Sequence, residues 1–209
     1  MGAPEADALL GSGLVEGTQN VHPGQGTANR RFFFQGGFVE LLWVANPAEA
    51  QSELAAPTRL WTRWLNRHSG SCPFGIGFSP ADTEVVAPPF DTWDYRPGYL
   101  PPGKVIRFAQ ATSLQEPELF YLAWPHTRAS ASAQPVGHTT PLVALKSVSV
   151  GMPPLTTISS SMRAAISAGL VNVYTHPTYE LKLGFSASQE VFLDLSPLPL
   201  LMFGSPAGG

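Results

Sequence analysis

Residues 13–44 read GLVEGTQNVHPGQGTANRRFFFQGGFVELLWV. A loop rich in glycine runs into two apolar segments, Ala28 to Gln35 and Phe38 to Val44, parted by Gly36 and Gly37. Aromatic and β-branched residues set between turn formers predict two strands in a hairpin. One acid, Glu40, interrupts the second strand. Side chains alternate along a strand, so Glu40, Leu42 and Val44 share one face, and Val39, Leu41 and Trp43 the other. A carboxylate there is costly unless it is paired or faces water. Two readings of Glu40 stand: a strand residue bonded to Arg30 or Arg31, or a group facing an open cleft. Arg30 and Arg31 are adjacent and so point to opposite faces, one towards the cleft and one towards solvent.

The pattern returns near the other end of the chain. EADALLGSGLVEGTQNVHP and MRAAISAGLVNVYTHP both close a helical stretch with Gly-Leu-Val and reach His-Pro a few residues later. The glycines are Gly13 and Gly169; the pairs are His22-Pro23 and His176-Pro177. Leu155, Ile158, Met162 and Ile166 recur with helical period, and Gly169 stands where a helix-ending glycine belongs. The first helix is shorter, from Pro4 to Leu10. Beyond the second His-Pro pair come two strands, Tyr179 to Phe185 and Glu190 to Leu195. The segment PLVALKSVSVGMPP adds a strand before it, stopped by Pro153-Pro154. The full unit is strand, helix and three strands, and the first copy lacks its opening strand. Glu40 and Asp194 lie at nearly the same distance beyond their glycines.

The middle, residues 47–134, belongs to neither copy. PAEAQSELA and PTRLWTRWLNRH read as short helices; CPFGIGFSP, PFDTWDYRP, KVIRFAQ and ELFYLAWP read as extended segments punctuated by Pro and Gly. Phe74, Phe78, Trp93 and Tyr95 are either an ordinary aromatic core or one wall of a ligand site. Arg96, in the rigid stretch DYRPGYLPPG, is a candidate for a ligand carboxylate.

A duplicated βαβββ unit resembles the vicinal oxygen chelate superfamily, which holds glyoxalases, bleomycin-resistance proteins and dioxygenases. HPGQGTANRRFFFQGGFVELLWV is similar to the H-x-G-x-G-T-x-N and L-E-L-L stretch of its glyoxalase-like domain branch, over residues 3–46 and 135–203. The resemblance implies an α+β fold: two βαβββ modules, the first without its opening strand, forming a curled mixed sheet around a cavity, with a β-rich middle insertion. The modules are residues 1–46 and 135–203, with 204–209 a flexible tail of one compact domain. It also implies a divalent metal held by inward-facing groups on the first and last strands of each unit. Those positions fall on Glu40 and Asp194; the first-strand position of the second unit falls near Ser147, a poor ligand, and that of the first is not in the sequence. Two carboxylates without histidine make a weak transition-metal site.

Around Glu40, as general base or acidic ligand, the loop offers His22, Thr27 and Asn29, with Arg30 beside them. The alternative is a stiff crossover loop whose glycines serve only the turn. Gly24 and Gly26 permit positive φ, and such loops can form anion-binding nests. His138 is either an acid–base group at the cavity mouth or a histidine at a strand entrance. Two functions follow. One is an enzyme of lyase, isomerase or dioxygenase kind acting on a small oxygenated molecule; the other is a protein that sequesters such a molecule without chemistry.

Bulk properties set the frame. The chain has 209 residues, 44% hydrophobic and 13% charged, enough for a core. A net charge of −3 without a basic cluster argues against nucleic acid. Apolar runs are too short for a membrane span. The single cysteine, Cys72, excludes an internal disulfide and leads us to expect the cytoplasm. A sheet short of one strand exposes backbone, so either a segment upstream of this sequence or a second copy of the chain, as a homodimer, is expected to fill the gap.

Overall fold

The computed structural model describes residues 2–80, 87–124, 134–154 and 157–186 in full, and the backbone of 191–194 and 201–206. Helix α1 (Ala6–Gly11) leads into β1 (Asn20–His22), β2 (Thr27–Phe34) and β3 (Gly37–Val44). The expected hairpin is present to within a residue at each end. Its register sets Arg31 opposite Glu40 and Asn29 opposite Leu42.

Helices α2 (Pro47–Ala50) and α3 (Leu60–Leu65) come next. The Asn46 side chain starts α2 by accepting from the N–H groups of Ala48 and Glu49, with Pro47 just inside. The four extended segments become β4 (Phe74–Ser79), β5 (Thr92–Tyr95), β6 (Ile106–Ala109) and β7 (Glu118–Leu122). The second copy follows in the order its repeat predicts: β8 (Ala144–Met152), α4 (Ser160–Ser167), β9 (Asn172–Thr175), β10 (Glu180–Ser186) and β11 (Val191–Asp194). Ser159 caps α4 by accepting from Met162 N–H, so the helix starts later than the apolar spacing from Leu155 suggests; Leu155 lies outside the described residues. Gly169 ends it with φ 71°.

The strands divide into two mixed sheets. Eight run in the order β1-β2-β3-β12-β4-β7-β6-β5, and four in the order β11-β10-β8-β9. Strand β12 (Leu201–Pro206) runs from the end of the expected second module into the stretch the sequence suggests is a loose tail, 204–209. It pairs antiparallel with β3 and parallel with β4, so the facing edges of both find partners.

The two copies differ in one pairing. In the second, β10 is flanked by β11 and β8. In the first, β2 is flanked by β3 and β1, so β1 takes the place that the opening strand holds in the other unit. Both pairings are antiparallel.

One buried cluster joins the sheets. Phe32, Phe34, Val39, Leu41, Phe74, Ile76, Phe78 and Leu119 of the larger sheet meet Val148, Val150, Leu181 and Leu183 of the smaller, with Leu9 of α1 and Met162 of α4. Paired residues share a face, so the opposite face of the larger sheet follows from the register. Thr27, Asn29, Arg31, Glu40, Leu42, Gly75, Gly77, Glu118, Phe120, Phe108 and Trp93 lie on it. That face carries polar groups at its β2–β3 side, two side-chain-free positions on β4, and a separate aromatic cluster of Tyr95, Phe108 and Phe120. No described helix is long and apolar enough to cross a membrane.

Candidate functional site around Glu40

His22 and Thr27 are cross-strand partners, so residues 23–26 are the turn of a β-hairpin. A Cβ on Gly26, at φ 73°, would lie 2.3 Å from the Asn46 carbonyl oxygen and 2.5 Å from Ala50 N. The Gly26 carbonyl accepts from the N–H groups of Ala45 and Asn46, both at 2.9 Å. The glycine therefore lets α2 sit directly on the loop. The loop amides do not form an anion nest. Gly24 N–H donates to Glu49 Oε2 at 2.6 Å, and the N–H groups of Gln25 and Gly26 donate to the His22 carbonyl at 3.1 Å.

The side chains of the loop form a chain of contacts. Tyr99 OH donates to Gln25 Oε1 at 2.9 Å, and Gln25 Nε2 donates to Thr27 Oγ1 at 2.7 Å. Thr27 Oγ1 is 2.9 Å from His22 Nδ1, and the Tyr99 ring lies 4.8 Å from the His22 ring. Burial and the nearby Arg31 charge bring the His22 pKa down to about 4, so its ring is neutral near pH 7.

Glu40 is buried next to this chain. Asn29 Nδ2 donates to Glu40 Oε1 at 2.8 Å, and Asn29 Oδ1 accepts from Asn20 N–H at 2.8 Å, which fixes the amide. Burial pushes the Glu40 pKa up to about 7, against the opposing pull of the Asn29 bond and the Arg31 charge. Glu40 Oε2 has no hydrogen-bond partner among the described residues. Neither arginine bonds to the carboxyl. Arg31 donates to the Thr18 carbonyl and hydroxyl at 2.8 and 2.7 Å and lies over the Phe33 ring.

Tyr99 lies within electrostatic reach of Glu40 and Tyr95. Burial raises its hydroxyl pKa, and the charges of both neighbours raise it further. Tyr95 is buried, and its hydroxyl has no hydrogen-bond partner among the described residues. Its pKa rises to about 12 through burial.

The other sequence candidates lie elsewhere. Arg30 is on the opposite face, paired with Glu16 at 2.6 Å and Asp7 at 2.8 Å; Arg31 is the arginine on the face of Glu40. His138 packs on Phe34, a core-face residue; its Nδ1 accepts from Val15 N–H and its Nε2 meets the Phe33 carbonyl. Both ring nitrogens are thus used by backbone, and burial lowers the pKa. Arg96 is exposed and pairs with Asp94 at 2.6 Å. Trp93 lies on β5 and lines a separate cleft with Arg59. Asp194 stands opposite Lys182 on β11, in the smaller sheet, and its side chain lies outside the described residues. Reading the sequence alone misses Gln25 and Tyr99. The signal for Tyr99 was its place in a proline-stiffened loop, where Arg96 drew attention instead.

The divalent metal implied by the resemblance does not fit these groups. Among the described residues no three of His, Cys, Asp and Glu converge. Around Glu40 the nearest partners are an amide N–H donor and a guanidinium, both of which compete with a cation.

A mixed α+β protein with a buried, proton-holding carboxyl beside a His-Pro-Gly loop is the class that fold and site define. The model of the family described as "Glyoxalase-like domain" matches residues 5–165, well over half of the chain, and the chain belongs to that family. This agrees with the glyoxalase-like branch of the vicinal oxygen chelate superfamily. The match is continuous through residues 47–134, which the sequence reading sets apart as an insertion. Neither a curated protein nor a solved structure matches the chain.

Proposed function

We propose that this chain binds a small oxygenated molecule against the Glu40 face and that Glu40 exchanges a proton with it. The observation that carries this reading is the Glu40 carboxyl itself. It is buried, half-ionised near pH 7, held through one oxygen by Asn29, and without a hydrogen-bond partner among the described residues at the other. A group with a pKa near working pH suits general acid–base transfer. A ligand oxygen would also satisfy the orphaned Tyr95 hydroxyl, since buried polar groups are normally bonded. His22, with its neutral ring, and Asn29 would orient the molecule. The cytoplasm, and a pair of copies, remain part of this proposal; the single cysteine supports the first.

Sequestration without chemistry is the second reading, favoured by a donor set that does not suit a metal. One experiment bears on both. Saturation-transfer NMR with a panel of small hydroxycarbonyl compounds is run on the wild-type chain and on Glu40→Gln. Binding whose pH profile follows a group near 7, and which weakens in the variant, supports the site. Binding indifferent to Glu40→Gln overturns it. Conversion of a bound compound by wild type but not by Glu40→Gln selects the enzyme; binding without conversion selects sequestration.

A further inference from the structure

A second cleft lies on the same sheet face, at its β5–β6 end. Its volume is about 340 Å³, and Pro57, Arg59, Trp93, Ala111, Thr112 and Glu118 line it. Arg59 Nη1 donates to the Thr112 carbonyl at 2.7 Å, and Nη2 donates to the Thr112 hydroxyl and to Glu118 Oε2. These bonds use three of the five N–H groups of a guanidinium. The Arg59 side chain remains 33% exposed, so the other two are available. Glu118 is shared with the fully buried Arg63, at 3.0 Å. The Glu116 carboxylate accepts from the backbone N–H groups of Ser113 and Ser159. Trp93 is partly buried and stacks one face on Phe108 at 5.2 Å. Arg59 and Ala111 both hold left-handed backbone, φ 56° and 55°, without being glycine. Strained residues of this kind persist where the surrounding structure enforces them and cluster at binding sites.

We infer that this cleft binds a small aromatic monocarboxylate, its carboxylate on Arg59 and its ring against Trp93. A carboxylate oxygen can accept from the free N–H groups of Arg59 without displacing its bonds to Thr112 and Glu118. The indole, the Pro57 ring and the Ala111 methyl suit a flat apolar body. The inference does not depend on Glu40.

The test is a titration of the full chain with sodium 2-naphthoate, following the indole N–H resonance of Trp93, assigned with Trp93→Phe. A saturable shift at that resonance is expected. Arg59→Gln should weaken binding about ten-fold or more, as expected when a charge-assisted bond is lost. Arg59→Gln also removes a bond to Glu118 and so could disturb the fold. Gln110→Glu, at an exposed position on the cleft, leaves Arg59 and Glu118 intact and gives up only an exposed bond to the Thr92 carbonyl, and its added negative charge should weaken binding several-fold. The neutral 2-naphthalenemethanol should bind far more weakly, and Glu40→Gln should bind 2-naphthoate as wild type does. Absence of a saturable shift, equal binding of the neutral alcohol, or unchanged binding by Gln110→Glu overturns the inference.

Discussion

Arg31 stands directly opposite Glu40 in the β2–β3 ladder, yet the hydrogen bond to the Glu40 carboxyl comes from Asn29, at 2.8 Å. The guanidinium turns instead to Thr18 and Phe33. A direct ion pair would have held the acid ionised; a neutral amide in a buried setting does not. The second unit repeats the arrangement in its backbone, with Lys182 opposite Asp194. A cation across the ladder from the acid is thus a property of the repeat, and in the first unit it is not spent on a salt bridge.

Glu40 should make the chain less stable as pH rises. Its folded pKa, about 7, lies above the ordinary 4.5, so the folded state holds an extra proton between those values. The stabilising contribution is complete below about 4.5 and is lost as pH climbs through 7. Glu40→Gln keeps the acceptor for Asn29 and removes the titration. Urea unfolding should find the variant near wild type at pH 5 and more stable by ~1–3 kcal/mol at pH 8.5. Equal stability at pH 8.5 would show that Glu40 is ionised at little cost.

His22 works in the other direction. Its folded pKa, about 4, lies below the ordinary 6.5, so the unfolded chain takes up the proton first as pH falls. Its contribution is present above about 6.5 and is lost towards 4. The two slopes oppose one another between 4.5 and 6.5. Wild type should therefore show a shallow profile there. His22→Gln should tilt it so that stability increases as pH falls, and Glu40→Gln so that stability decreases. Thermal melts across that window read both signs, and the same tilt in both variants would refute the assignment.

The hairpin, the helix-ending Gly169 and the strands of the middle section were legible because each rests on local signals. Period-two alternation, turn glycines and proline stops act over a few residues. Glu40 was legible too, as an acid in an apolar strand. Its partner was not. Choosing between Arg30, Arg31 and Asn29 requires knowing where Thr18, Glu16 and Asp7 end up, and those contacts span 13 to 23 residues. The place of β12 between β3 and β4 was hidden for the same reason, since parallel pairing with β4 joins segments far apart in the chain. Tyr99 reaches Gln25 across 74 residues.

Gly26 should tolerate no side chain. Its positive φ penalises any L-residue, and a Cβ would meet the Asn46 carbonyl at 2.3 Å. Gly26→Ala should cost about 2 kcal/mol or more, because backbone atoms cannot step aside as a flexible side chain would. Gly24, also at positive φ, has no atom within 4 Å of such a Cβ, so Gly24→Ala should carry only the smaller conformational cost. Paired denaturant curves give the contrast, and equal losses would remove the packing argument.

Arg63 should prove the costliest surface-like residue type to replace, because nothing about its setting is a surface. It is fully buried on α3. Its guanidinium donates to the carbonyls of Cys72, Ser113, Leu114 and Glu116 and to Glu118 Oε2. Arg63→Met would orphan the Cys72 and Glu116 carbonyls and leave Glu118 to Arg59 and the Thr112 hydroxyl, at a cost of about 3–5 kcal/mol. Arg63→Met combined with Glu118→Gln should cost less than the two single changes added, since they share one network. The effect should also reach Glu40. Leu60, one turn before Arg63 on the same helix, packs on Leu42 of the Glu40 face. A loosened α3 admits water there, and the burial that holds the Glu40 proton weakens. Titration of the Glu40 carboxyl by NMR in a still-folded Arg63→Lys chain should find its pKa moved down towards 4.5. An unchanged value would mean that α3 contributes nothing to the burial of that carboxyl.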